Sequence, residues 1–510
     1  MSWEDKEERQ MRCYETFELS FQGEAPKGSH AEVAISAVFT CGEKNWTVKG
    51  FYAGNNTYKV RFLPQTEGEY TWKVSGVVEK EGREICTETE SHGMVKAEGN
   101  HFVYQDGSKY LPFGTTIYAL AHQPEILIDQ TMETLKQAPF NKVRHCVFPK
   151  HYDYNHNDPE FYPFEKKEDG SWDVHHPCFA YWDHLEDVIR RLEEMGIESD
   201  LILFHAYDRW GFSSLPIEEA KVYLDYLMRR LSAIPCIWWS MANEYDIMFN
   251  YTMEDWYEIE KTICENDPYH HLLSNHNCMR YYDHSREAIT HCSMQTIAVH
   301  KGDEWQARYK KPVIFDEFCY EGNIQHEWGN ISGFEMTNRF WKICTKGAYG
   351  THGETFYSDD EVLWWSKGGV LKGESPKRIA YLKDLLYSLP SCLEPWDEPV
   401  WEEQDEMYDS KEENPFIKLI KSLNPEEKET WKFKSGECGG HCGEEVFLKY
   451  FGIQCAAVAS IKLPKDHKYR VEMIDVWEMT RKTLIEEASG STTLKLPGKE
   501  GIAVLATKIA

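Results

Sequence analysis

Trp238-Trp239-Ser240-Met241-Ala242-Asn243-Glu244-Tyr245 is an apolar run that stops abruptly at Asn-Glu. A parallel strand buried on both faces reads this way, with its polar residues where it emerges at the carboxyl end. In a β/α barrel that end carries the chemistry. A second run, Pro312-Val313-Ile314-Phe315-Asp316-Glu317-Phe318, ends the same way. Two strand-end glutamates raise a paired-carboxylate site as the first hypothesis.

The surrounding texture supports a barrel. Between about residue 99 and residue 390, strand-like runs alternate with helical patterns. The runs are Tyr110–Tyr118, Lys142–Phe148, Asp200–His205, Cys236–Met241, His271–His276, Met294–His300, Val313–Phe318 and Ala348–Phe356. In Tyr181–Met195 the residues Leu185, Val188, Ile189 and Leu192 recur at helical spacing, and Gly196 is the expected stop. Ile217–Leu231 and Met253–Glu265 are further helices. Eight such units predict a closed (β/α)8 TIM barrel, fold class α/β. An open doubly wound sheet is the alternative, weakened because no Gly-rich phosphate loop follows the first strand.

Both flanks read as β. In residues 1–98, Thr16–Phe21, Ala31–Phe39 and Tyr70–Val74 alternate apolar and polar, and Gly54-Asn55-Asn56 marks a hairpin. This predicts an N-terminal Ig-like β-sandwich. Residues 391–510 open with a stretch rich in Asp, Glu and Pro (395–415), a linker or irregular cover. Tyr469–Trp477, Thr492–Leu496 and Gly501–Ile509 then predict a C-terminal β-sandwich. The barrel is expected to occupy 99–390.

Composition narrows the function. The formal net charge of −29 argues against nucleic-acid and anionic-membrane partners, which need a basic face. No apolar run approaches the ~18 residues of a membrane span. The amino terminus is charged and has no apolar h-region of a secretory signal. The 15 cysteines follow no repeated spacing and read as reduced thiols, so a cytoplasmic location is expected. A homo-oligomer is compatible with all of this. Cys438-Gly439-Gly440-His441-Cys442 is the one cysteine cluster. Its second metal-binding pair is missing, and Gly-Gly favours a hairpin turn over a zinc site.

In a barrel the residues closing each strand face one pocket. They are Arg144, His205, Asn243-Glu244, His276, His300 and Glu317, then His352, Glu354 and Trp364-Trp365 at or beyond the eighth strand. Two glutamates across a barrel mouth suit glycoside hydrolysis, one a protonated acid and the other ionised. A separation of ~5–5.5 Å gives retention and ~6.5–9.5 Å inversion. Arg144 is suited to hold a neighbouring carboxylate ionised. Asp316 competes with Glu317, but strand neighbours face opposite ways. The histidines at 151, 205, 276, 300 and 352 lie on separate strands without paired spacing, so no metal and no cofactor is expected.

Arg144, Asn243-Glu244, His300, Glu317 and Trp364-Trp365 fall in an order that resembles clan A glycoside hydrolases, in particular family 5-like barrels. His101–Gly114 and Ile474-Asp475-Val476-Trp477 resemble the entry and closing segments of the bacterial endoglucanase/apiosidase-like group with flanking sandwiches. The resemblance implies that Glu244 is the general acid/base and Glu317 the nucleophile. It implies that Asn243 binds the sugar 2-hydroxyl, that Arg144 lies near the nucleophile, and that His205 and His300 line the pocket. The chain departs from the pattern after the eighth strand. Thr351-His352-Gly353-Glu354-Thr355 intervenes before the tryptophans, so His352 and Glu354 become alternative substrate contacts.

The expectation is a retaining, metal-independent glycosidase acting on β-linked oligosaccharides or small glycosides, exo-acting because a cytoplasmic enzyme rarely meets polymers. A non-catalytic carbohydrate-binding barrel and an endo-acting glucanase or mannanase are the rivals. A metal-dependent barrel hydrolase is a third reading, and it predicts loss of activity with chelator.

Overall fold

The computed structural model describes residues 10–396, 415–428, 430 and 438–509. Most of the acidic stretch 395–415 lies outside the described residues. The chain packs as two compact units, Met1–Gln295 with Tyr357–Leu371, and Thr296–Phe356 with Lys372–Ala510.

The eight anticipated strands are present. They are β1 (Phe113–Thr116), β2 (Lys142–Cys146), β3 (Glu198–His205), β4 (Ile237–Asn243), β5 (Leu273–Ser274), β6 (Cys292–Gln295), β7 (Val313–Glu317) and β8 (Tyr349–His352). One eight-stranded sheet orders them β5-β4-β3-β2-β1-β8-β7-β6, the sequence of a (β/α)8 barrel.

In the first unit β1 to β5 pair in parallel, with Thr116 opposite Arg144, Arg144 opposite Asp200, and His205 opposite Asn243. Every residue of β2, β3 and β4 is buried. Parallel strands covered on both faces read as continuous apolar runs for this reason. The exceptions are paired inside the sheet. Lys142 Nζ meets Asp200 Oδ2 at 2.7 Å, and His145 Nε2 lies 2.7 Å from Ser199 Oγ.

Helices α1 (Glu125–Gln137), α2 (Phe179–Glu194), α3 (Ile217–Leu231) and α4 (Met253–Asn266) follow β1 to β4. In α2 the buried face is Tyr181, Trp182, Leu185, Val188, Ile189 and Leu192. Gly196, just beyond it, takes φ +68, which costs glycine little. In α4, Thr252 and Asp255 form a capping box.

β5 and β6 are the two ends of the sheet order, and Thr290 and the Asn277 side chain bridge them. Leu273 N–H donates to Thr290 Oγ1 at 2.9 Å, and Thr290 N–H to Leu273 O at 2.9 Å. The Asn277 amide exchanges bonds of 3.1 Å with both the N–H and the carbonyl of Gln295.

Residues 17–86 form two antiparallel sheets, of three and four strands, over one core. Phe39 and Phe62 stack there with centroids 4.1 Å apart. Asn55 and Asn56 both take positive φ in the turn before Thr57–Phe62, as a twisted two-residue hairpin requires. Arg61 ties this sandwich to the barrel helices. It reaches Glu18 at 2.9 Å, Glu186 at 2.7 Å and the Arg230 carbonyl at 2.7 Å.

In the second unit β7 pairs in parallel with β8. Helices α5 (Gly302–Tyr309), α6 (Gly333–Thr345) and α8 (Ser375–Tyr387) belong here, while the short α7 (Trp364–Lys367) belongs to the first unit. The predicted run Ala348–Phe356 splits at Gly353. Glu354–Thr355 leaves the barrel and pairs with Glu321–Gly322.

The carboxyl-terminal region is a six-stranded sheet with a separate two-stranded ladder, sharing a core that includes Ile461, Val471, Leu494 and Val504. Here one expectation is corrected. Cys438–Cys442 is a strand, and the hairpin turns at Gly443 instead of at Gly439-Gly440. A Cβ on Gly440 would stand 1.9 Å from the Thr345 carbonyl oxygen, so the glycine serves close backbone approach.

Candidate active site

Glu244 follows the last residue of β4 and takes φ 58, ψ 55. A non-glycine side chain pays a steric penalty in this left-handed region, and such residues concentrate at functional sites. The kink turns the carboxylate out of the strand. Three donors converge on it: the Tyr207 hydroxyl on Oε2, Asn243 Nδ2 on Oε2 at 3.2 Å, and Gln295 Nε2 on Oε1 at 3.1 Å.

Asn243 is itself fixed. Its Oδ1 accepts from the Tyr118 hydroxyl at 2.9 Å and from Arg144 Nη2 at 3.2 Å. Arg144 is fully buried, with Nε 3.8 Å from Asp200 Oδ2. Residues on or just beyond β2, β3, β4 and β6 are thus tied into one polar network around Glu244.

The other first-unit candidates sit as follows. His205 is buried with Nε2 3.1 Å from the Phe148 carbonyl, and burial pushes its pKa down to about 4. His276 is buried just past β5. Its N–H donates to the Ala242 carbonyl at 3.2 Å, and its carbonyl accepts from Tyr245 N–H at 3.0 Å. Trp364 Nε1 donates to Thr115 Oγ1 at 2.8 Å. The Trp365 ring packs edge-on against Tyr118 and Tyr152, at 5.8 and 6.1 Å.

In the second unit Glu317 closes β7 and is half-buried. Its neighbour Asp316 is buried and accepts from Thr351 Oγ1 of β8 at 2.7 Å. His300 lies beyond the end of β6, in a short helical turn at Val299–Lys301. The fully buried His352 is driven down to about 3 by desolvation.

Glu354 and Glu321 face each other in register on their two short strands. Four consecutive backbone N–H groups hold them. Lys372 and Gly373 donate to Glu354 at 2.6 and 2.7 Å; Glu374 and Ser375 donate to Glu321 at 2.7 and 3.0 Å. Burial pushes the Glu354 carboxyl up to about 7, aided by the Glu321 charge and opposed by its two N–H donors. Glu321, His352 and Glu354 have ligand atoms within 4.8 Å of one another.

Sequence reasoning passed over Tyr118, Lys150, Tyr207 and Gln295. Gln295 was legible as a polar strand end, but the apolar residues Ile297, Ala298 and Val299 extended the apparent strand to His300. Tyr207 stands two residues beyond β3, in a loop whose direction no periodicity encodes.

Comparison with known proteins bears on these strand ends. Residues 96–403 match the family described as apiosidase-like, catalytic domain. Residues 10–76 and 431–507 match two domains of unknown function, DUF5060 and DUF5605. A candidate glycoside hydrolase of known structure from Bacteroides vulgatus is 33% identical, with a TM-score of 0.86 over 98% of this chain and 100% of that one. A glycoside hydrolase family 5 structure from the same species is 16% identical, with a TM-score of 0.58 over 82% of this chain and 94% of that one, a likeness of fold alone. Among curated proteins none matches. The chain therefore belongs to the apiosidase-like catalytic-domain family, and is a glycosidase.

Proposed function

We propose that the enzyme cleaves β-glycosidic bonds of oligosaccharides or small glycosides by a two-glutamate, retaining mechanism. Glu244 is the general acid/base and Glu317 the nucleophile. The observation that carries this reading is the Glu244 carboxylate, turned out of β4 by a left-handed backbone and held by Tyr207, Asn243 and Gln295. A group that must first give a proton to the leaving oxygen and then take one from water needs such fixed placement. Asp316 is engaged by Thr351, which favours Glu317 as the nucleophile. Asn243, oriented by Tyr118 and Arg144, is suited to hold the sugar 2-hydroxyl.

In the first step Glu317 attacks the anomeric carbon as Glu244 protonates the departing oxygen. In the second, Glu244 deprotonates a water that displaces Glu317. The scheme needs neither metal nor cofactor. We infer exo action on small substrates, apiosides among them given the family description. The 15 free thiols suit a reducing compartment such as the cytoplasm.

Following the anomer of the first product by NMR tests the mechanism. Retention is expected, and an inverted product would overturn it. Glu317→Ala should abolish turnover of the best aryl glycoside; unchanged turnover would remove Glu317 from its role. Chelator should have no effect. Faster hydrolysis of a polymeric glucan or mannan than of aryl glycosides would refute exo action.

A further inference from the structure

Lys150 lies four residues past β2 and is buried. Its ammonium stands over the faces of four aromatic rings. The nitrogen is 3.5 Å from the centroid of Tyr118, 4.3 Å from Tyr207, 5.0 Å from Trp365 and 5.7 Å from Tyr152. The rings brace one another edge-on, Tyr152 against Tyr207 at 4.7 Å and Tyr118 against Trp365 at 5.8 Å. Main-chain bonds hold the box. His151 N–H donates to Tyr207 O at 2.9 Å, Tyr118 N–H donates to Trp365 O at 3.0 Å, and Asn155 Nδ2 donates to the Lys150 carbonyl.

Burying an ammonium is costly unless its surroundings compensate. The quadrupoles of the ring faces supply part of that compensation, and they fix where the rings sit. The two nearest rings are also the two whose hydroxyls end on the strand-four pair. Tyr118 donates to Asn243 and Tyr207 to Glu244. A cation over a phenol ring stabilises negative charge on its oxygen, so each hydroxyl becomes a stronger donor.

We propose that Lys150 is a positioning residue of the glycosidase reaction. Its charge clamps Tyr118 and Tyr207 so that their hydroxyls hold Asn243 and Glu244 in place for proton delivery to the leaving oxygen. This rests on the reading of Glu244 as the acid/base.

The test compares kcat/KM for two aryl glycosides of the preferred sugar. One carries phenol, which needs protonation to depart; the other carries 2,4-dinitrophenol, which does not. Glu244→Ala comes first. It should lose far more on the phenyl substrate; equal losses would defeat the acid/base reading itself. Once Glu244→Ala shows that skew, Lys150→Met should lose at least about ten-fold more on the phenyl than on the dinitrophenyl substrate. Equal losses on both would reduce Lys150 to a packing residue and overturn the inference. Tyr207→Phe, which removes only the hydroxyl, should show the same skew. It carries the test if Lys150→Met fails to fold, and an unskewed Tyr207→Phe would overturn the clamp.

Discussion

Gln295, the last residue of β6, donates through Nε2 to Oε1 of Glu244 at 3.1 Å. The backbone of Gln295 is held separately by the Asn277 amide. Gln295→Leu therefore deletes the donor while leaving the strand anchored. We expect a drop in kcat/KM of about ten- to 150-fold, the range of one hydrogen bond to a charged partner. The thermal midpoint should stay near that of the wild type. Steady-state kinetics beside a calorimetric melt would check both, and undiminished kcat/KM would show that this contact is idle in turnover.

Glu354 makes stability depend on pH in an unusual direction. Its carboxyl is pushed above the ordinary value of 4.5, to about 7, with burial the largest cause. The stability it contributes is fully present below pH 4.5 and is lost as the pH rises to 7. The full span is about 3 kcal/mol, since each pKa unit is worth about 1.4 kcal/mol. Glu354→Gln keeps the shape and removes the titration. Subtracting its unfolding free energy from that of the wild type, by urea melts from pH 4.5 to 7.5, should reveal the slope. A flat difference would be the contrary result.

Glu18 behaves in the opposite sense. Burial alone would raise it, but the Arg61 and Lys59 charges hold it at about 2. Its stabilising contribution is complete above pH 4.5 and is lost as the pH falls toward 2. Arg61→Met leaves Glu18 and Glu186 without this partner and should destabilise the protein by about 3–5 kcal/mol at pH 7. Glu18→Gln should remove the slope between pH 4.5 and 2. Chemical denaturation across that interval measures both.

Gly440→Ala should destabilise by about 1–3 kcal/mol, because the added methyl would meet the Thr345 carbonyl and force a backbone shift. A lowered thermal midpoint with kcat/KM unchanged, measured on the folded enzyme, is the expected pair of results.

Much of this fold is written in local pattern. Trp238–Asn243 and Val313–Glu317 announce themselves because a strand covered on both faces must be apolar until it emerges. Helix Ile217–Leu231 matches its apolar period from first to last residue. The contacts around Glu244 are a different matter. Tyr207 and Lys150 reach their places through loops, and a loop's path is set by packing far along the chain. Gly439-Gly440 misled for a related reason. The pair looks like turn chemistry, and only the approach of the Thr345 backbone explains why glycine is needed inside a strand. His300 was drawn toward the strand end by the apolar residues Ile297, Ala298 and Val299, which lie past β6 and lead into a short helical turn.

The side-chain bridge between β5 and β6 bears on how this barrel can be re-engineered. At this seam Thr290 and Asn277 do work that main-chain ladders do between the other paired strands. A chain break at the exposed Glu287 would fall between β5 and β6 and sever no strand. It would also leave β4, with its catalytic candidates, in the interior of an unbroken run of strands.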